Sequence, residues 1–210
     1  MQTKTRAISE RDKEKRKQVI LMAALEQFYL QGFKATRMDD IANMAGVSKG
    51  TLYLYFKTKE ELFQAIIEQV ALPKLGELTQ LLEQSPSVKQ GLSNMFNFLP
   101  KVILYSPLPK LIKVIISDSF AFPEVAQNYR EQVIEKGLMA LTKLLDKGNT
   151  NKEINVENSK VMARLVIAPV IFSVIWYVIL NGDNKSENDI NALFQQHLRN
   201  MFCSLGIKEN

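Results

Sequence analysis

Two short helical segments joined by a tight turn, within residues 36–57, constrain the fold of this chain more than any other feature. Thr36 is a favourable residue to cap the first segment, and Gly46 follows it where a left-handed backbone is usually needed. Ser48 is a good cap for the second segment, and Leu52 is spaced to pack back on the first. This arrangement predicts a helix-turn-helix, whose second helix lies in a DNA major groove.

The net charge is concentrated around this motif. Residues 1–60 contain 12 Lys and Arg against 7 Asp and Glu, a net of +5, whereas residues 61–210 contain 15 of each. A basic module attached to a neutral body indicates contact with a polyanion. Residues 1–10 are expected to form a flexible basic arm. The basic side chains of this end either reach DNA or simply form a solvated tail.

The rest of the chain predicts helices, so the expected fold class is all-α. Its few glycines and prolines lie mostly where the apolar periodicity stops, and no segment alternates apolar and polar residues as a strand would. The predicted helices are residues 11–31, 37–45, 48–55, a fourth from Thr58, and then 87–105, 108–120, 123–147, 156–180 and 186–205. We expect a DNA-binding domain of three helices and the base of a fourth at 11–71, and a ligand-binding and dimerisation domain at 72–210.

The most apolar helix has two interpretations. Residues 165–180 carry no charge, which could indicate a membrane span, but this run is shorter than the roughly 20 residues needed to cross a bilayer. Burial on several sides, against its own domain and a second subunit, is the preferred interpretation. The first residues lack the apolar segment of a secretory signal, and the single cysteine, Cys203, fits a reducing compartment. We therefore expect a cytoplasmic protein with no membrane partner.

Residues 36–62, TRMDDIANMAGVSKGTLYLYFKTKEEL, carry a family pattern in both residue type and spacing. They resemble the N-terminal domain of the TetR family of bacterial transcriptional repressors, and the likeness covers about residues 11–71. The resemblance implies an Ω-shaped homodimer whose two N-terminal domains bind successive major grooves of a near-palindromic operator. It also implies a small molecule in the C-terminal domain that releases the DNA, and no enzymatic activity or cofactor.

Ten residues are candidates for DNA contact: Thr36, Arg37, Ser48, Lys49, Gly50, Thr51, Tyr53, Tyr55, Lys57 and Lys59. Those at the start of the second helix can reach base edges or phosphates. The family resemblance implies that one or both of Lys57 and Lys59 reach the phosphate backbone beside a helix N-terminus. The alternative is that Tyr53 is mainly a core aromatic and Lys59 a solvated charge.

The second half favours an apolar or aromatic ligand, because its helices are rich in aromatic residues and Met. Ordinary core packing is the alternative for each of these residues. The pocket candidates are Phe96, Leu99, Tyr105, Asp118, Phe122, Tyr129, Met162, Phe172 and Trp176. The dimer-interface candidates, on the last two helices, are Val174, Tyr177, Val178, Phe194, Leu198 and Phe202.

No constellation typical of catalysis occurs in the sequence, such as paired carboxylates or a nucleophile beside a base. His197 and Cys203 are six residues apart and have no third ligand, so no metal site is expected. The predicted function is a ligand-responsive DNA-binding repressor whose partners are double-stranded operator DNA, a small-molecule effector and a second copy of the chain. A regulator that acts without a small ligand is the alternative.

Overall fold

The computed structural model describes residues 10–180 and 187–208, and the regular structure within these ranges is helical. The predicted all-α class is therefore confirmed. The α-helices, in chain order, are α1 (Glu10–Gln31), α2 (Met38–Met44), α3 (Lys49–Tyr55), α4 (Lys59–Ile66), α5 (Leu72–Glu83), α6 (Val88–Tyr105), α7 (Leu108–Asp118), α8 (Pro123–Tyr129), α9 (Glu135–Thr150), α10 (Ser159–Ile175) and α11 (Glu187–Leu205). The expected arm at residues 1–10 lies outside the described part, except for Glu10.

Three wider π-helical segments join or extend these helices: Ile67–Ala71 between α4 and α5, Arg130–Ile134 between α8 and α9, and Trp176–Leu180 after α10. The first of them makes one unbroken helical rod, residues 59–83, out of α4 and α5. Pro73 gives a physical reason for the wider turn, since it has no backbone N–H to donate and its ring crowds the preceding turn. The rod therefore runs from the helix-turn-helix into the second half of the chain.

The turns of the motif form as predicted, with one exception. Gly46 has a left-handed backbone, with φ +66°, and the Ser48 hydroxyl accepts a hydrogen bond from a backbone N–H three residues later at 3.1 Å. The exception is the cap of α2. This helix begins after Arg37, and the Arg37 backbone N–H donates to the Asp40 carboxylate at 3.1 Å. The predicted Thr36 cap is wrong, because that hydroxyl faces the end of α1.

Local capping also sets the helix boundaries of the second half. The break before α6 is present, and Ser87 caps that helix through a backbone N–H at 3.2 Å. α10 begins at Ser159 instead of residue 156, because the Asn158 side chain caps it. The preceding loop is fixed by two hydrogen bonds, of 2.8 and 2.9 Å, between the Asn149 side chain and the backbone of Val156.

Two apolar cores hold the chain together. The first core joins α1–α4 with α7 and α8, and the second core joins α5, α6, α9, α10 and α11. The first core also contains buried residues from beyond the expected boundary at residue 71, among them Leu111, Val114 and Tyr129. Packing is therefore continuous across the expected domain boundary. Within the described ranges, no helix combines the length and apolarity that a bilayer span requires.

Candidate nucleic-acid interface and interior cavity

The second helix of the motif, α3, is anchored on one side and open on the others. Leu52 is fully buried in the first core. Lys49 and Gly50 are exposed at the start of the helix, and Leu54 is 80% exposed near its end. Leu54 lies between two tyrosines on this helix but is not among the ten candidates for DNA contact. The outward surface of α3 is thus accessible to a large partner.

The basic side chains around α3 are held by hydrogen bonds. Lys49 Nζ lies 2.8 Å from the Asp39 carboxylate, and this contact raises the pKa of the lysine. Lys57 Nζ donates to the backbone carbonyl of Tyr53 at 2.7 Å. Lys59 Nζ donates to two carbonyls in the α1–α2 turn at 2.6 and 3.1 Å. These positive charges therefore have defined positions, which lowers the entropic cost of ordering them against a partner.

Several of these cations border a concave depression of about 620 Å³ between the α1–α2 turn, α3 and the start of α4. Its charged lining comprises Lys34, Arg37, Lys49 and Lys59 against the single carboxylate of Asp39. Four positive charges against one negative charge favour an anionic group such as a DNA phosphate. Lys34 was not selected from the sequence, because only the folded turn places it beside the motif.

The small hydroxyl side chains of the motif have internal roles. Thr36 is 1% exposed, and its hydroxyl donates to the carbonyls of Gln27 at 3.2 Å and Gly32 at 2.7 Å. The expectation that this side chain contacts DNA is therefore corrected. The hydroxyls of Ser48 and Thr51 lie 2.8 Å apart at the exposed start of α3 and hydrogen-bond to each other.

The two tyrosines of α3 have mixed environments. Tyr53 is partly buried and lines the depression. Tyr55 is also partly buried and packs against the first core, with its ring 6.5 Å from that of Phe56. Tyr53 thus borders the candidate interface, whereas the main contact seen for Tyr55 is with the core.

An interior cavity of about 320 Å³, partly open to the surface, lies among helices α5 to α10 and the first two π-helical segments. Its volume is within the range of small-molecule sites, at the lower end. The lining is almost entirely apolar and includes Leu78, Phe98, Val102, Leu138, Ile167 and Val170. None of these six is among the nine pocket candidates, because helical periodicity does not distinguish a cavity wall from solid core.

Two of the nine pocket candidates, Leu99 and Tyr129, line this cavity. Phe96 and Met162 pack into the second core without reaching it. Phe122 packs against the first core instead. The expectation for these three residues is corrected, since Phe96 and Met162 lie on helix faces that meet other helices, and Phe122 precedes α8 and packs on the first core.

The remaining candidates also lie away from the cavity. Tyr105, Phe172 and Trp176 are exposed, by 70%, 55% and 44%. Asp118 is buried, and its carboxylate accepts a hydrogen bond from the backbone N–H of Phe33 at 3.0 Å. Asp118 thus fixes α7 to the α1–α2 turn, and the expectation that it lines a ligand pocket is corrected.

The dimer-interface candidates lie inside one protomer. Five of the six are buried in the second core: Val174, Tyr177, Phe194, Leu198 and Phe202. The side chain of the sixth, Val178, lies outside the described residues. The expectation is corrected for the five, because a side chain enclosed by its own chain offers no surface to a second copy. Val174 lines the cavity as well.

Three amide side chains connect the cavity wall to the motif half of the chain. Gln64 on α4 accepts hydrogen bonds from Asn128 at 2.8 Å and from Gln132 at 3.3 Å, and donates to Gln132 at 3.2 Å. Gln132 lies in the π-helical segment that also supplies Val133 to the cavity. We call these three residues the amide cluster, and it joins the cavity wall directly to α4.

His197 and Cys203 do not come together as a site. His197 is partly buried, with Nε2 3.1 Å from the Val166 carbonyl, and burial lowers the pKa of its imidazole. Cys203 is exposed. In the part of the chain that the structure describes, no three His, Cys, Asp or Glu residues are grouped to hold a metal ion.

Both halves of the chain match known family profiles. Residues 20–66 match the profile described as bacterial regulatory proteins, tetR family. Residues 90–204 match the profile described as AefR-like transcriptional repressor, C-terminal domain. Sequence analysis alone did not assign the second half to a subfamily, because it contains no compact motif.

Curated relatives agree with the profiles. The chain is 55% identical over 70 residues to the uncharacterized HTH-type transcriptional regulator YhgD of Bacillus subtilis (strain 168), a match that covers 33% of this chain and 37% of YhgD. It therefore spans little more than a third of that relative. The probable HTH-type transcriptional regulator ArpR of Pseudomonas putida is 29% identical over 168 residues, covering 74% of this chain and 78% of ArpR.

Solved structures share the fold. A putative TetR-family transcriptional regulator from Mesorhizobium loti superposes with a TM-score of 0.72 at 21% identity, covering 91% of this chain and 96% of that one. The transcriptional regulator FadR from Bacillus subtilis, solved in complex with stearoyl-CoA, gives a TM-score of 0.71 at 21% identity, covering 91% and 99%.

An N-terminal helix-turn-helix with a basic surface, joined to a larger helical half, defines a DNA-binding transcriptional regulator. With profile matches over both halves, the chain belongs to the TetR family.

Proposed function

We propose that this regulator is a dimeric repressor that binds a palindromic operator through α3 and releases it when an apolar or aromatic effector fills the interior cavity. The observation that carries the proposal is the helical rod of residues 59–83. Lys59 at its start borders the basic depression, whereas Ala71 and Lys74 further along line the cavity. One continuous element thus borders both sites, so that a shift at one end repositions the other. This role in transcription corresponds to a cytoplasmic location.

DNA recognition combines two kinds of contact. The cations of the depression neutralise phosphates and set the position of the module on the duplex, while the outward side chains of α3 reach the major groove. Lys49 lies at the start of α3, where it can serve either purpose. Its ion pair with Asp39 is fully at the surface, so exchange of the carboxylate for a phosphate costs little.

The experiment is a pull-down of fragmented genomic DNA by the purified protein, read by sequencing. The wild type is expected to enrich fragments that share one near-palindromic sequence, and Lys49→Glu is expected to lose that enrichment while its helical content stays unchanged. Lys143→Glu, a charge reversal at an exposed position on α9, is the matched control and should retain it. Equal enrichment by both variants would place DNA recognition away from α3.

Effector release requires that ligand occupancy change the position of α4. The cavity adjoins both π-helical segments that flank the motif half, through Ala71 in the first and Val133 in the second. The amide cluster then joins the second segment to α4. A ligand that favours one arrangement of these segments shifts the population of DNA-binding states by its difference in affinity for them.

The alternative function is a regulator without a small ligand. The apolar cavity favours the effector proposal over this alternative, because a concave and mostly apolar site of this volume is typical of small-molecule binding. Thermal unfolding in the presence of a panel of apolar compounds separates the two. A ligand-responsive regulator should show a rise in melting temperature that increases with compound concentration, and no rise with any compound would favour the alternative.

The dimer surface proposed here is the outward stripe of α10 and its π-helical extension. Val161, Leu165, Phe172 and Trp176 recur at helical spacing and are 51%, 55%, 55% and 44% exposed. The Phe172 and Trp176 rings also pack together, with centroids 5.9 Å apart. A contiguous apolar stripe of this kind on a regulator that acts on palindromes fits a two-fold interface.

This surface is tested by sedimentation velocity. We expect Leu165→Glu to convert the dimer to monomer, because a charge at an apolar interface is buried without a partner. Met139→Glu, at a position on α9 that is 56% exposed, is the control and should leave the dimer intact. Dimers that persist in Leu165→Glu would locate the interface elsewhere.

A further inference from the structure

The cavity wall contains one polar group without a partner. Tyr129 lines the cavity and is 7% exposed, and its hydroxyl forms no hydrogen bond with any described residue. Gln27 Oε1 is the one fully enclosed side-chain polar atom without a partner in the described part of the chain. The Tyr129 oxygen is not among the fully enclosed unpaired atoms, so solvent reaches it, and the residue forms part of the cavity wall.

This hydroxyl is a hydrogen-bond donor in its resting state. Burial raises the pKa of Tyr129 far above its ordinary value, so the phenol keeps its proton at any physiological pH. A ligand that fills the cavity displaces the solvent at this hydroxyl and, unless it supplies an acceptor, leaves the hydroxyl without a partner at a cost in free energy. A ligand with an acceptor avoids that cost, whereas a pure hydrocarbon does not.

The second polar group at the cavity is a lysine, and it is paired with a carboxylate. Lys74 is the one other polar side chain among the lining residues, and its Nζ lies 2.7 and 3.0 Å from the two carboxylate oxygens of Glu77. This pair stands at the accessible rim, with the lysine side chain 35% and the glutamate 48% exposed. The positive charge of Lys74 therefore lies at the rim, and a carboxylate bound among the aliphatic side chains away from that rim would lack a counter-charge.

From this geometry we infer that the effector is a neutral apolar molecule bearing one hydrogen-bond acceptor, such as a ketone or ester carbonyl, and that the Tyr129 hydroxyl donates to it. The inference rests on the proposed function and specifies the ligand class of the same cavity. A ligand bound at Tyr129 can also affect α4, because Tyr129 is part of the first core and directly follows Asn128 of the amide cluster. A bond formed at this hydroxyl thus acts at the junction with α4.

The test is a binding cycle with two probes of the same shape. 2-Acetylnaphthalene carries a carbonyl, and 2-isopropenylnaphthalene replaces its oxygen with a methylene group. Affinities are measured by isothermal titration calorimetry for the wild-type protein and for Tyr129→Phe. We expect the ratio of ketone to alkene affinity to fall roughly three- to tenfold in Tyr129→Phe, the range for one neutral hydrogen bond. Tyr105→Phe, at a position outside the cavity, should leave the ratio unchanged.

Folding and site of binding are checked separately. Tyr129→Phe should melt at the wild-type temperature or slightly above, since the lost hydroxyl has no partner. Val170→Phe narrows the cavity and should weaken both probes alike.

The outcomes test the donor role of Tyr129 separately from the effector role of the cavity. If both probes bind in the cavity and their ratio is the same in Tyr129→Phe, the donor role of Tyr129 is refuted while the effector cavity stands. If neither probe binds, or if Val170→Phe has no effect on them, the cavity itself fails as the effector site. Tighter binding of 2-naphthoate than of the ketone, lost in Lys74→Gln, would replace the neutral class with an anionic one.

Discussion

The hydrogen bond between Asp118 and Phe33 gives a stability prediction that bears on the connection between the two halves of the chain. The Asp118 carboxylate accepts from the Phe33 backbone N–H at 3.0 Å, and both residues are buried, 8% and 1% exposed. Hydrogen bonds to charged groups contribute about 1.5–3 kcal/mol. Asp118→Ala also leaves the Phe33 N–H without a partner in the core. We therefore expect a loss of about 2 kcal/mol of unfolding free energy.

The assay is urea unfolding followed by circular dichroism, with calorimetry in parallel. For a chain of this size, a loss of about 2 kcal/mol corresponds to a fall in melting temperature of roughly 4–8 °C. Asp118→Asn keeps an acceptor oxygen without the charge and should lose about half as much. Asp146→Ala, at an exposed position on α9, serves as the control and should stay within about 0.5 kcal/mol of wild type. Equal stability of Asp118→Ala and Asp146→Ala would refute the proposed attachment of α7 to the α1–α2 turn.

Three further predictions concern packing and pH. Gly148→Ala should destabilise the protein by about 1–3 kcal/mol, because the added Cβ would lie 2.2 Å from Val88 Cγ2. Gly76→Ala should stabilise it by up to about 1 kcal/mol, because no atom lies within 4 Å of the added Cβ. The midpoints of urea unfolding check both predictions. Thr36→Val should lower the unfolding free energy by about 1–2 kcal/mol and leave the affinity for DNA at fixed salt concentration unchanged, whereas a direct contact between this hydroxyl and DNA would make the variant bind more weakly. Because burial lowers the pKa of His197, protonation favours the unfolded state and stability should fall as pH drops below about 6.5; His197→Gln should show a smaller fall between about pH 7.5 and pH 5.5.

Local signals made the motif predictable from the sequence. The left-handed Gly46 and the Ser48 cap depend on residues adjacent in the chain, and both occur where expected. The helix cap predicted at Thr36 is wrong, because its hydroxyl has other acceptors nearby. A threonine before a helix is a good cap in isolation, but here its hydroxyl is closer to the carbonyls at the end of α1.

Tertiary placement explains what the sequence could not predict. α10 is apolar on nearly all sides, so its composition does not distinguish the buried Val174 from the exposed Phe172 two residues earlier. The cavity is equally hard to predict, because its walls come from six α-helices and two π-helical segments, and most wall residues also look like ordinary core. Tyr129 was selected as an aromatic residue, and only its missing hydrogen-bond partner gives it a specific role.

The central claim, that α3 and the surrounding cations bind a specific DNA duplex, is tested most directly by the salt dependence of binding to the enriched operator. Each phosphate contact contributes about 0.9 to the slope of log affinity against log salt concentration. A dimer that presents two basic depressions should lose roughly a thousandfold in affinity between about 50 and 200 mM salt, and should protect two half-sites about one helical turn apart. An affinity that changes less than about tenfold over this range, with no protected half-sites, would contradict the account.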